Sequence, residues 1–248
     1  MRLSFDGVTW GAEGEPVLGG VDLAVAAGEL VVLVGRSGVG KSTVLRLAGG
    51  LTAPSGGRVR REARRVAMVF QEPRLLPWAS ALDNVALSLS ALGLGRAAAR
   101  ARAAPWLARL GLSPRDLAKR PAALSGGMRA RVAVARAFVI EPDLVLLDEP
   151  FAALDLALRR DLQAITRGLV TETGVAALFV THDLPEAVRL ADRLMVLDGR
   201  PARVVATLVQ RPCETLADVW EAAAALSRRP ELAAIAGDAA APPRVSPR

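Results

Sequence analysis

The 248 residues are 52% hydrophobic and carry 32 Lys and Arg against 25 Asp and Glu, a net charge of +7. Such apolar content excludes a disordered chain and suits one or two domains with a sizeable core, while the basic excess invites an anionic partner, either nucleic acid or a membrane surface. No uncharged apolar run reaches the roughly 18 residues of a spanning helix; the best stretch, 78–95, contains Asp83 and Asn84.

Residues 1–10 lack the basic-then-apolar pattern of a secretory signal, so a cytoplasmic location is expected. Residues 3–8 and 21–25 alternate apolar and polar positions, which predicts strands with one buried face in a small antiparallel sheet. Trp10 falls at a loop position between them and has two readings, a core or staple aromatic and a ring on which adenine stacks. Residues 30–34 are a continuous apolar run, and Gly35-Arg36-Ser37-Gly38-Val39-Gly40-Lys41-Ser42-Thr43 follows. This is a complete phosphate-binding loop between a short buried strand and a helix predicted over 41–48. Glycines 35, 38 and 40 let the backbone turn and approach phosphate oxygens closely. The loop N–H groups and the helix start then face an anion, with Lys41 on the β- and γ-phosphates and Ser42 on Mg²⁺. Residues 66–70 read as a buried strand that Pro73 cannot extend, which leaves Gln71 at its end. There Gln71 either ligates Mg²⁺, holds a water, or simply closes the strand.

The pattern changes at Ser80, which with Asp83 forms a helix-start signature before Leu82, Val85, Ala86, Leu89 and Leu92 at helical spacing. A second, Ala- and Arg-rich helix over 96–110 is expected to be interrupted at Pro105. These belong to a helical insert at about 79–132. Its last helix is predicted over 128–139, capped by Ser125, with Gly126 and Gly127 leaving N–H groups open to an anion. The arginines of 58–65 and 96–109 form no dense tract with interleaved aromatics, so nucleic acid is not expected as a partner. Residues 144–147 form a buried strand ending in Asp148-Glu149-Pro150. Two acids there need a cation or a protonic task, and Mg²⁺ with phosphate supplies both: Asp148 on the metal, Glu149 accepting a proton from the attacking water. After a strand over 175–181 comes His182, the one histidine of the chain, followed by Asp183 and Glu186 as a capping box. Gln71, Asp148 and His182 all follow strands and are expected to meet at one sheet edge. Residues 194–198 and 202–206 read as a hairpin. Cys213, the one cysteine of the sequence, cannot make an internal disulfide, and its place in Arg-Pro-Cys-Glu has no metal-ligand spacing, so a structural role is expected. Residues 216–235 have a helical pattern broken at Pro230, and 237–248 read as a frayed tail.

In this order, the phosphate loop, Gln71, Leu124-Ser125-Gly126-Gly127, Asp148-Glu149, Ala153-Leu154-Asp155 and His182 resemble the ATP-binding cassette transport ATPases, over residues 1–212, with 213–248 as a C-terminal extension. The resemblance implies an α/β phosphate-loop NTPase with a mostly parallel sheet core, an N-terminal antiparallel β-subdomain and an inserted helical subdomain. It also implies ATP and Mg²⁺ bound at a head-to-tail dimer, with Ser125, Gly126 and Gly127 completing the site of a second ATPase subunit, and Asp155 near that seam. Trp10 takes the place of the adenine-stacking aromatic, Gln71 of the γ-phosphate and coupling residue, Glu149 of the catalytic base, and His182 of the γ-phosphate switch. Met128, Ala130 and Ala152 depart from the common pattern. Residues 70–78 and 83–85 are similar to the nitrate, sulfonate and taurine importer ATPases. That likeness implies permease subunits as partners, contacted by Leu75, Leu76 and Trp78, a solute-binding protein in the complex, and a place on the cytoplasmic face of the membrane. An exporter subunit and a soluble cassette protein acting on nucleic acid or ribosomes are the competing readings.

Overall fold

The computed structural model describes residues 1–12, 14–210, 213 and 215–232. Its frame is set by strands that are apolar on both faces. In β3 (Leu30–Val34), Leu30, Val32 and Val34 join one buried cluster and Val31 and Leu33 the other, all fully buried. Such two-sided burial belongs to parallel strands covered by helices. β3 pairs in parallel with β7 (Ala176–Thr181) and β8 (Arg193–Gly199), β7 with β6 (Leu144–Asp148), and β6 with β5 (Val66–Val69).

β1 (Leu3–Ala12), β2 (Glu15–Val25) and β4 (Gly56–Arg61) pair antiparallel as expected, but they are not a separate sheet. A parallel bridge from Leu18 to Ala202 of β9 (Ala202–Val209) joins them to the rest, and β9 returns antiparallel on β8. Among the described residues the sheet has nine strands in the order β4-β1-β2-β9-β8-β3-β7-β6-β5.

One face carries α1 (Lys41–Gly49), whose Val44, Leu45, Leu47 and Ala48 are buried with Val31, Leu33, Leu144, Leu146, Leu178 and Val180. The other carries α4 (Gly126–Phe138), α5 (Leu156–Thr173) and α6 (Leu184–Leu190). The inserted helices α2 (Ala81–Ser90) and α3 (Arg96–Arg109) share that cluster through Val85, Leu89, Ala99, Ala103 and Leu107. The helix-start signature at Ser80 is realised, its hydroxyl oxygen accepting from Asp83 N at 3.0 Å. Pro105 does not interrupt α3. Pro105 and Ala101, whose carbonyl the proline leaves without its helical donor, both lie exposed, where the loss of that bond is least costly, while Ala103 and Leu107 hold the buried side.

α4 extends through residue 132, the expected end of the insert. α7 (Leu216–Ser227) stops before Pro230 and buries Val219, Ala223 and Leu226 in the main cluster. The expected tail over 237–248 lies outside the described residues. The start of α6 has buried chemistry behind it. The Asp183 carboxylate caps α6 by accepting from Glu186 N at 3.0 Å. Glu186 is itself buried, accepts from Gln163 Nε2 at 2.9 Å, and is pushed by desolvation to a pKa of about 7.

Candidate active site

The parallel strands deliver their C-terminal ends to one edge. Val34 lies opposite Thr181 in register, and Asp148 opposite Val180. Residues directly after β3, β6 and β7 therefore converge, which is where open α/β sheets place ligands.

After β3 the chain makes the loop 35–40. A Cβ on Gly35 would sit 2.6 Å from the Leu197 carbonyl oxygen, so only glycine lets the strand end pass β8. Gly38 and Gly40 have φ of 78° and 113°, the left-handed region in which a side chain is strained. Gly40 is the N-cap of α1 and offers no side chain, so the first-turn amides of that helix are not capped from within. Ser37 and Gly38 are exposed at the loop crest, and Val39 packs toward Gly35. Lys41 is 5% exposed and its Nζ donates to the Gly35 and Arg36 carbonyls at 2.8 and 3.1 Å. The ammonium is thus held against the loop it serves.

Glu149 stands at φ 42°, a conformation that costs a non-glycine residue on the order of 1–3 kcal/mol. That turn puts its carboxylate between the Lys41 ammonium and the His182 imidazole, with Oε1 3.3 Å from Lys41 Nζ and Oε2 2.7 Å from His182 Nδ1. Beside it, Ser42 Oγ donates to Asp148 Oδ1 at 3.0 Å. Burial, and after it the neighbouring Glu149 charge, raise the Asp148 pKa, against the lowering hydrogen bond from Ser42. A carboxylate paying that desolvation beside a serine hydroxyl is a donor set for a hard divalent cation, so the residues fit Mg²⁺. Among the described residues no group of three or more His, Cys, Asp or Glu could hold a metal ion.

The other sequence-predicted residues fall in three places. Trp10 lies within β1, paired with Leu18, and not in a loop, because the β1–β2 ladder runs on to its hairpin end. It lines a cavity of ≈ 360 Å³ with Thr43 and Arg46 of α1, Phe70, Arg74 and Asp148. Gln71 shares the strand-end edge but stands exposed after the outermost strand, β5, and is not hydrogen-bonded to the Lys41, Glu149 and His182 group. Ser125 and Gly126 are exposed and Gly127 buried at the start of α4, where the Ser125 hydroxyl oxygen accepts from Met128 N at 3.2 Å. Asp155 caps α5, accepting from Leu158 N at 3.0 Å.

Sequence reasoning missed α5 and its Arg159, although Asp155 followed by Leu162, Thr166, Leu169 and Val170 at helical spacing is a legible start signal. It also missed Arg136, which lies in the last turn of α4 and donates to the Pro73 and Arg74 carbonyls just beyond Gln71 at 2.6 and 2.8 Å. No sequence signal announces that contact.

Residues 18–152 match the family model described as ABC transporter. The aliphatic sulfonates import ATP-binding protein SsuB of Ralstonia nicotianae is 50% identical over 194 residues, 75% of this chain and 66% of that protein. The SsuB 1 protein of Agrobacterium fabrum is 43% identical over 214 residues, covering 86% of this chain and 77% of its own length. The taurine import ATP-binding protein TauB of Pseudomonas aeruginosa is 44% identical, covering 77% and 75%. Among solved structures, the dimeric post-hydrolysis state of the ATP-binding cassette MJ0796 bound to ADP and Pi superposes with a TM-score of 0.75 at 30% identity, over 85% of this chain and 100% of that one.

Proposed function

This chain belongs to the ABC transporter family, and we propose that it is the ATP-hydrolysing subunit of an importer for a small solute of the sulfonate and taurine class. The observation that carries the reading is the Lys41, Glu149 and His182 cluster, joined at the strand ends to Ser42 and Asp148. ATP lies with its phosphates on the loop amides and Lys41, and its base against Trp10. Ser42 and Asp148 would hold Mg²⁺, with Gln71 reaching it from the end of β5, and the ion would supply charge neutralisation at the phosphates. Glu149, oriented by His182, takes a proton from the attacking water as the water oxygen bonds the γ-phosphorus and the bond from that phosphorus to the bridging oxygen breaks, releasing ADP and phosphate. General-base help of this kind contributes roughly 10²- to 10⁴-fold in rate.

The exposed start of α4 supplies the second half of each site. Ser125, Gly126 and Gly127 of one copy close over the nucleotide of the other, with Asp155 at the seam; the dimeric form of the similar cassettes supports a pairing of two copies. Among the described residues no helix is long and apolar enough to cross a membrane, so the path for solute lies in permease subunits, docked by way of Leu75, Leu76 and the 70% exposed Trp78. A solute-binding protein completes the assembly on the far side, and this subunit sits peripherally on the cytoplasmic face.

The test is ATP turnover of the purified chain against its own concentration, with Mg²⁺, beside Glu149→Gln. Turnover rising more steeply than linearly, and lost in the variant with accumulation of an ATP-bound dimer, is the expected result. Undiminished turnover in Glu149→Gln removes Glu149 from its role, and strictly linear turnover removes the shared site.

A further inference from the structure

Arg159, in the first turn of α5, ties together two segments that flank the Glu149 and His182 pair. One terminal nitrogen donates to Asp183 Oδ2 at 3.1 Å, and the other to the Ala152 and Leu154 carbonyls at 2.9 and 3.2 Å. Asp183 directly follows His182, and 152–154 directly follow the turn after Glu149. The contacts close a ring. Glu149 bonds His182 through Oε2, His182 leads to Asp183, Asp183 pairs with Arg159, and Arg159 holds Ala152, whose own N–H donates to the Glu149 carbonyl at 3.3 Å.

Both anchors of the ring are fixed in turn. Asp183 Oδ1 caps α6, and Asp183 N donates to Thr181 Oγ1 at 3.0 Å. The Arg159 Nε is buried with no hydrogen-bond partner. Burying a donor unpaired is unfavourable, and the fold accepts it to keep the other two nitrogens on the carboxylate and the carbonyls. An arginine is suited to this task because its planar fork holds separate acceptors in fixed directions, which a lysine cannot do.

We propose that Arg159 is a positioning residue, which locks the 152–154 segment and Asp183 into one unit and thereby sets the geometry between Glu149 and His182. The proposal rests on the reading of that pair as the catalytic base and its partner.

The test uses the full chain with Arg159→Met, which keeps the apolar stem, and Asp183→Asn, whose amide oxygen still caps α6 but which loses the ion pair. His182 is the one histidine of the sequence, so its ring Cε1–H gives a single assignable NMR resonance. Each variant is expected to lower kcat for ATP about tenfold with KM within about twofold of the parent, and to move that resonance. The double variant is expected to fall no further than the worse single one, because the two residues act as one unit. Arg159→Lys, which reaches one acceptor at a time, is expected to recover part of kcat. Unchanged kcat, additive losses, or a loss of kcat with the His182 resonance unmoved would each overturn the proposal. Should Arg159→Met fail to fold, the Asp183→Asn results decide alone. Absence of ATP turnover in the parent chain defeats the proposed function instead, and the His182 resonance in the variants then judges the coupling by itself.

Discussion

The helices α1 and α4 both begin at glycine-bearing loops, yet their first turns are finished differently. α1 starts from Gly40 in a left-handed conformation with no side-chain cap, and its Lys41 is buried against the loop carbonyls and Glu149. α4 starts from Ser125 in an extended conformation with its hydroxyl already engaged by Met128 N. The first helix start thus leaves its amides for an anion and surrounds them with groups of its own chain. The second is a self-sufficient helix start placed at the surface. Its two glycines separate the roles further. A Cβ on Gly127 would fall 2.0 Å from Leu158 Cδ2, so packing on α5 demands glycine there, whereas a Cβ on Gly126 would meet nothing nearer than 3.9 Å. Intrachain packing accounts for Gly127 and places no demand for glycine at Gly126, where the proposed closure by a second copy would supply one.

The contrast can be broken most severely at Lys41. Lys41→Met is expected to reduce ATP turnover by roughly 10²- to 10³-fold, the scale of losing a charged donor to the transferring group, and retained turnover in a phosphate-release assay would mean that α1 is not the phosphate site. A third helix start, α6, serves as a reference in which the first-turn acid, Glu186, is buried with its pKa raised to about 7. The unfolded chain ionises this acid from about pH 4.5 upward and the folded chain only above about pH 7, so the favourable neutral form contributes fully below pH 4.5 and its contribution is lost as pH rises. Glu186→Gln is therefore expected to stabilise the fold at pH 8 by on the order of 2–3 kcal/mol relative to its effect at pH 4.5, read from thermal melts at the two pH values. A pH-independent difference would remove the buried charge as the cause.

Smaller effects sharpen the division within α4. Gly127→Ala forces Leu158 aside and is expected to cost about 1–2 kcal/mol in denaturant unfolding, a cost that should vanish in combination with Leu158→Ala. Ser125→Ala removes the cap and is expected to cost about 1 kcal/mol. Gly126→Ala is expected to change stability by less than about 0.5 kcal/mol while flattening the dependence of turnover on protein concentration. If turnover per chain keeps its concentration dependence in that variant, the α4 start does not complete a partner's site.

Much of this was legible in advance because the signals are local. Phosphate-loop glycines, an apolar run that stops at paired acids, and a serine three residues before a helix-facing amide each depend on neighbours in sequence, and β3, β6, β7, α1 and the caps of α2, α4 and α6 followed from them. Trp10 was misplaced because hairpin extension depends on the partner strand β2 and not on the propensity of its own segment. The expected break at Pro105 does not occur because the rule concerns an isolated helix, whereas here the proline lies on the exposed face and the buried face holds the turn. The sequence predicts the antiparallel N-terminal strands but not their joining to the core sheet, because the single bridge of Leu18 to Ala202 spans most of the chain.

The amino-acid sequence by itself determined the family, the phosphate-loop chemistry and the identity of the acids and the histidine, since each rests on residue type at fixed local spacing. Only the tertiary structure decided that Glu149 lies between Lys41 and His182, that Gln71 stands apart from them on the outermost strand, that Gly127 answers to Leu158, and that Arg159 joins Ala152 to Asp183. These are contacts between segments far apart in the chain, set by strand order and by which helix covers which face, and residue spacing carries no record of either.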